Sequence, residues 1–322
     1  VSLTEKLQPL FIIIAISVGL ALGQIKWVAE NALSFVVPSL TVMLYGVFLN
    51  IPFDRLGNAF QNYKVTGLSL GINFLWTPVF AWGLGAIFLR DSPDLWVGLI
   101  MLMVTPCTDW YLIFTGIAKG NVALATALLP WNLILQVVLL PIYLVVFAGT
   151  LVDINAIILL ESVMLVLAVP MLLALATKWL LPRWVGFWRQ IPLKIAAGQT
   201  LLLCLAIAAM FASQGLIVIQ RPDLLLKMLV PILIFFSINF WSSQIIARLG
   251  NFSYEEFACF SCTTLARNSP ISLAIATSAF PERPLVALAL VIGALIELPV
   301  MVLVSQFLLV LRRRRYSTRQ GS

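Results

Sequence analysis

The run TPCTDWYLIF (105–114) sets a proline, a thiol and a carboxylate side by side inside a long apolar segment. Cys107 is a soft ligand suited to As(III); it is also small enough to be a packing residue between helices. Asp109 is harder to explain by packing. An ionised carboxylate at membrane depth costs about 2.5–3.5 kcal/mol on insertion scales, and such residues mark ion or substrate paths. A second unusual run, TTLARNSPISLAIA (263–276), carries Arg267, Asn268, Ser269, Pro270 and Ser272. Asp109 and Arg267 suggest a pair in which the carboxylate takes a proton or Na⁺ and the guanidinium faces an anionic substrate group. The alternative is a structural ion pair locking two helices; breaking it costs about 3–5 kcal/mol in either case. Glu297 adds a third buried charge, in the middle of the last apolar run, as an ion-coupling or site-stabilising group or the partner of a neighbouring helix.

The elements that position these residues follow from composition. The chain has 322 residues, 61% hydrophobic and 10% charged, with a mean hydropathy of +1.05. A soluble domain has about 25% charged residues, so this is an integral membrane protein. Apolar runs of membrane-spanning length recur along the chain, and no polar stretch is large enough for a soluble domain. The run from Pro9 to Gly23 lacks a basic leader and an Ala-x-Ala site and reads as a span. The pattern predicts an all-α protein of ten transmembrane helices near 8–24, 33–52, 66–89, 95–117, 122–149, 154–181, 195–219, 225–247, 256–279 and 285–311. Residues 1–322 are expected to form one integral membrane domain, with a basic tail at 312–322.

Function classes drop out at the same step. The chain has no histidine, which removes HExxH zinc proteases, Ser-His-Asp triads and His-ligated haem. There is no GxxxxGK[ST] phosphate loop and no paired catalytic aspartates. Neither an enzyme, a resident metal nor another cofactor is expected, only a coupling ion, H⁺ or Na⁺. The four cysteines lie in apolar runs, so a disulfide framework is not expected. Cys259 and Cys262 share a helix face and with Cys107 could offer three thiols; Cys204 reads as packing.

Ten spans put both termini on one side. Fourteen basic residues then fall on that side, including Arg312 to Arg315, against five on the other: Lys26, Arg90, Arg221, Lys227 and Arg283. By the positive-inside rule both termini are cytoplasmic, in the cell membrane. The net charge of +7 reads as topology and lipid headgroup contact, not nucleic-acid binding. Arg267 is left over, inside the ninth span.

Five spans per half is odd, so the second half (about 151–311) enters the membrane opposite to the first (about 1–150). Such inverted repeats are the plan of many secondary transporters, with the site at paired helix breaks. Pro106 and Pro270 break the fourth span of each half. Near them lie Thr105, Thr108 and Asp109 on one side, and Asn268, Ser269 and Ser272 on the other. Asn132 and Gln136 share one face of the fifth span, Asn132 being the better ligand candidate, and Asn73 lies in the third. The GxxxG patterns at 19–23 and 67–71 read as helix packing.

PCTDWYLIFTGIAKGNVALATALLPWNLILQ (106–136) resembles the helix 4–5 region of arsenite-efflux transporters of the Acr3 type, within the bile acid:sodium symporter superfamily. The resemblance rests on Pro-Cys-Thr at 106–108, AKGNVAL at 118–124, Asn132 and Gln136, and VIGALIELPV at 291–300. It implies ten helices in two inverted repeats, the fourth and ninth broken and crossing near the midplane, with Cys107 and Glu297 implicated in transport. This chain departs from that pattern in carrying RNSPIS (267–272) where a carboxylate is usual, Asp109 where a small apolar residue is usual, and Asn121 in place of Asp. The expected function is ion-coupled export of arsenite or a related oxyanion in exchange for protons. The rival is Na⁺-coupled symport of a small organic anion, and a channel is a more distant third.

Overall fold

The computed structural model describes residues 3–50, 57, 59, 61–107, 110–152, 156–180, 192–220 and 222–319. Thr108 and Asp109 lie outside them, so the expected Asp109–Arg267 pair has one member that is not described.

The described residues are mainly helical, with one isolated β-bridge and no strand among them. An apolar solvent leaves the backbone no hydrogen-bonding partner but itself, and the chain answers with long helices. In chain order they are α1 (Leu3–Leu22), α2 (26–50), α3 (Tyr63–Phe88), α4 (Pro93–Met103), α5 (Trp110–Ile117), α6 (Val122–Ala148), α7 (156–180), α8 (Pro192–Gln220), α9 (Pro222–Leu249), α10 (Tyr254–Leu265), α11 (Ser269–Ala279) and α12 (Pro284–Arg319). Six stretches among the described residues, in α2, α3, α6, α7, α9 and α12, are long and apolar enough to cross a membrane. Apolar helices of shorter length include Pro93–Met103 and Ser269–Ala279, the halves that precede and follow the two breaks.

Local chemistry sets the starts. Asn62, Asn121 and Asn268 each accept a hydrogen bond from the N–H three residues on, and Ser253 with Glu256 closes a reciprocal cap at the start of α10. Three helices carry one widened π turn, at Ile72–Trp76, Leu144–Ala148 and Met164–Ala168. Such turns re-aim side chains and frequently sit at functional positions. The first of them holds Asn73, which is fully buried.

Packing brings the two interrupted helices together. α5 lies on α10, α4 on α12, and α11 between α2 and α12. α1 is seated on α8 through Gly19 and Gly23, where an added Cβ would come within 2.4 Å of the Ala208 carbonyl and 2.5 Å of the Ala212 carbonyl. The 19–23 pattern is therefore a packing seam. At Gly67 and Gly71 an added Cβ would meet no described residue within 4 Å.

Candidate functional site

Pro106 and Pro270 stand where the sequence placed the breaks. α4 ends at Met103 and α5 begins at Trp110; α10 ends at Leu265 and α11 begins at Ser269. A helix interruption frees carbonyls and N–H groups that must be satisfied inside the protein. Here the two interruptions satisfy each other. Pro106 and Arg267 form an antiparallel bridge, with the Cys107 N–H donating to the Ala266 carbonyl (3.0 Å) and the Asn268 N–H to the Thr105 carbonyl (2.7 Å). Thr105 and Ser272 tie their hydroxyls together at 2.6 Å, and Ser272 also donates to the Met101 carbonyl (2.9 Å).

Each second half-helix starts on a side-chain cap. The Asn268 Oδ1 accepts from the Ile271 N–H (3.2 Å) and the Cys107 Sγ accepts from the Trp110 N–H (3.2 Å). Cys107 is 3% exposed. Its thiol thus sits at the positive end of α5, in a protein interior.

Among the described residues Arg267 is the largest fully buried side chain, at 1% exposure. Its Nε donates to the Leu265 carbonyl (3.1 Å), Nη1 to the Met103 carbonyl (2.8 Å), and Nη2 to the Asn73 Oδ1 (3.1 Å) and the Thr264 carbonyl. The guanidinium also lies over the Phe235 ring of α9, 5.1 Å from its centroid. Its four side-chain hydrogen bonds go to three carbonyls and one amide oxygen.

Glu297 of α12, 4% exposed, takes the opposite pole. Oε1 accepts from the Arg267 backbone N–H (2.6 Å) and Oε2 from the Ser269 hydroxyl (3.3 Å). A carboxylate at the N-terminal end of α11 is stabilised by the unsatisfied N–H groups and the dipole there. Beside this carboxylate a small, half-open pocket lies between α1, α5, α8, α11 and α12. Its wall is mainly leucine, isoleucine and alanine, with Arg267, Ser269, Glu297 and Trp110 at the crossing end.

Asn132 is buried, and its Oδ1 accepts from the Asn73 Nδ2 at 3.4 Å, while its own Nδ2 and both polar atoms of Gln136 have no hydrogen-bond partner among the described residues. Asn73 donates also to the Thr263 carbonyl (3.0 Å). Asn132 is thus joined to Arg267 through Asn73. The thiols do not converge: among the described residues no three His, Cys, Asp or Glu side chains gather as a metal-holding group, although Cys259 and Cys262 are both buried in α10.

Sequence reasoning passed over Asn73 as an ordinary interhelical contact and did not single out Phe235. A widened turn has no sequence signature, and a phenylalanine among apolar neighbours is indistinguishable from core. The acceptors at Met103, Thr264 and Leu265 are backbone atoms, which no residue letter reveals.

Known proteins supply the remaining observation. The model of a family described as the sodium bile acid symporter family matches residues 37–221. The arsenical-resistance protein Acr3 of Corynebacterium glutamicum is 25% identical, over 94% of this chain and 88% of its own length. An uncharacterized transporter of Synechocystis is 24% identical, over 94% and 87%, and the uncharacterized protein YbaS of Bacillus subtilis 22% identical, over 90% and 92%.

Proposed function

The chain belongs to the sodium bile acid symporter family and is a multi-pass membrane transporter, and from that premise we propose that it exports arsenite or a related oxyanion in exchange for protons. Its ten spans form two inverted five-helix repeats, about 1–150 and 151–311, both termini are cytoplasmic, and one helix bundle rocks against the other to expose the site on alternate sides. The observation that carries the reading is the meeting of two broken helices with a thiol on one side and a buried carboxylate on the other, beside a pocket. Cys107 supplies the soft ligand for a trivalent arsenical passing the crossing. Glu297 carries the exchanged proton, since a lone carboxylate in an apolar interior is an ion-relay residue by default. The likeness to the arsenical-resistance protein supports the choice of substrate. No resident metal or cofactor enters the scheme.

Arsenite accumulation in cells lacking their own exporters tests the reading. With the protein in the membrane, accumulation is expected to fall, and Cys107→Ala is expected to restore it. Unchanged accumulation contradicts arsenite export.

One observation favours a second reading. The pocket wall is mainly apolar, which suits the hydrocarbon part of a small organic anion taken up with Na⁺. Na⁺-gradient-driven uptake of such an anion into liposomes is its test, and conductance far above carrier turnover would point instead to a channel.

A further inference from the structure

Two helix C-termini aim at one point. Met103 is the last residue of α4, and Thr264 and Leu265 close α10. The last carbonyls of a helix have no intrahelical partner, and they carry the negative end of its dipole. Such half-helix ends and unwound carbonyls are what coordinate monovalent cations in transporters with broken helices. At this junction the Met103, Thr264 and Leu265 carbonyls and the Asn73 Oδ1 converge, and they converge on the guanidinium of Arg267. Three separate elements, α3, α4 and α10, contribute the four oxygens, and Asn73 lies within the π turn of α3.

The side chain is held as an ion is held. It is buried at 1% exposure, its donors are spread over oxygens of different helices, and the Phe235 ring lies against one face of the guanidinium. A substrate-facing arginine would keep its planar fork open for a two-pronged contact with an oxyanion; this one has both Nη atoms engaged with protein oxygens.

We propose that Arg267 is a tethered cation, permanently filling a carbonyl-lined monovalent-cation site where the two helix breaks meet. The protein therefore takes no Na⁺ from solution at this junction, and removing the side chain opens four oxygens that Na⁺ can occupy. Glu297 is left as the group that exchanges an ion. The inference rests on the transporter reading for its significance, but its test involves no arsenite, so the two fail separately.

The experiment is the Tm of the purified full-length protein against NaCl, with choline chloride holding ionic strength constant. Wild type is expected to show no response specific to Na⁺. Arg267→Ala is expected to melt lower in choline and to recover with Na⁺ along a saturating curve, by about 3–5 °C. Arg267→Lys, which keeps a tethered charge, is expected to remain insensitive. Adding Asn73→Ala to Arg267→Ala removes one oxygen and is expected to weaken the recovery. An equal Na⁺ response in wild type and Arg267→Ala, or a folded Arg267→Ala indifferent to Na⁺, overturns the proposal. Should Arg267→Ala fail to fold in choline, Arg267→Met takes its place, because its thioether stem can still pack on Phe235. Stabilisation of that variant by Na⁺ supports the tethered cation, and indifference overturns it.

Discussion

Cys107 combines two roles that one substitution separates. Its Sγ caps α5 by accepting the Trp110 N–H at 3.2 Å, and in the proposed mechanism the same sulfur binds the arsenical. Serine is among the best helix caps but a poor soft ligand. Cys107→Ser is therefore expected to keep the Tm of wild type and to lose arsenite efflux by at least about tenfold; retained efflux would remove the thiol from the mechanism. Glu297→Gln makes the same kind of separation. A glutamine can still accept from the Arg267 N–H and bond Ser269, but it carries no exchangeable proton. The expected outcome is a folded protein in which an imposed pH gradient no longer drives export, while arsenite exchange at equal pH continues. Both residues were legible in the sequence, because a thiol beside a proline and a carboxylate in an apolar run are conspicuous. What surrounds Arg267 was not legible. Its partners are carbonyls at two helix ends and an amide within a π segment, and these exist only once the helices have packed.

At the scale of elements, the breaks hold each other. Thr105 and Ser272 link them across 2.6 Å, and interhelical polar contacts in membranes average about 0.6 kcal/mol with a ceiling near ~1.7. A double-mutant cycle with Thr105→Val and Ser272→Ala should fall in the upper part of that range, since the pair is fully buried and the Ser272 hydroxyl, accepting from Thr105, donates on to the Met101 carbonyl of α4. A coupling near zero would mean that the backbone bridge alone joins the breaks. The two GxxxG patterns give a second contrast. Gly23→Val would drive a Cβ against the Ala212 carbonyl and part α1 from α8, at a cost of about 1–3 kcal/mol, whereas Gly67→Val meets no described residue and should fall within about 0.5 kcal/mol of neutral. Thermal melts of the two variants compare them directly. The positions of both breaks could be read in advance because proline has a local consequence in any helix. Which glycines are packed could not, because that depends on which neighbour lies across the seam.

For the whole molecule, the basic residues fix the proposed orientation. In the proposed ten-span topology fourteen lie on the terminal side against five on the other, which by the positive-inside rule predicts cytoplasmic ends. A thiol introduced by Ser322→Cys should then react with an impermeant maleimide in everted vesicles and not in intact cells; labelling in intact cells would reverse the topology. The native thiols Cys107, Cys259 and Cys262 are buried and Cys204 is half-buried, so the unsubstituted protein serves as the labelling control. Rocking of bundles around a fixed crossing requires that the crossing itself stay intact, and the bridge at Pro106 and Arg267, the Thr105–Ser272 link and the tethered cation all serve that end. The most direct measurement is arsenite flux through the purified protein in proteoliposomes, with a pH gradient as the sole driving force. Arsenite moving against the proton flow, abolished by a protonophore and by Glu297→Gln, is the predicted result. Arsenite that stays put while the same vesicles accumulate an organic anion on a Na⁺ gradient would contradict the account.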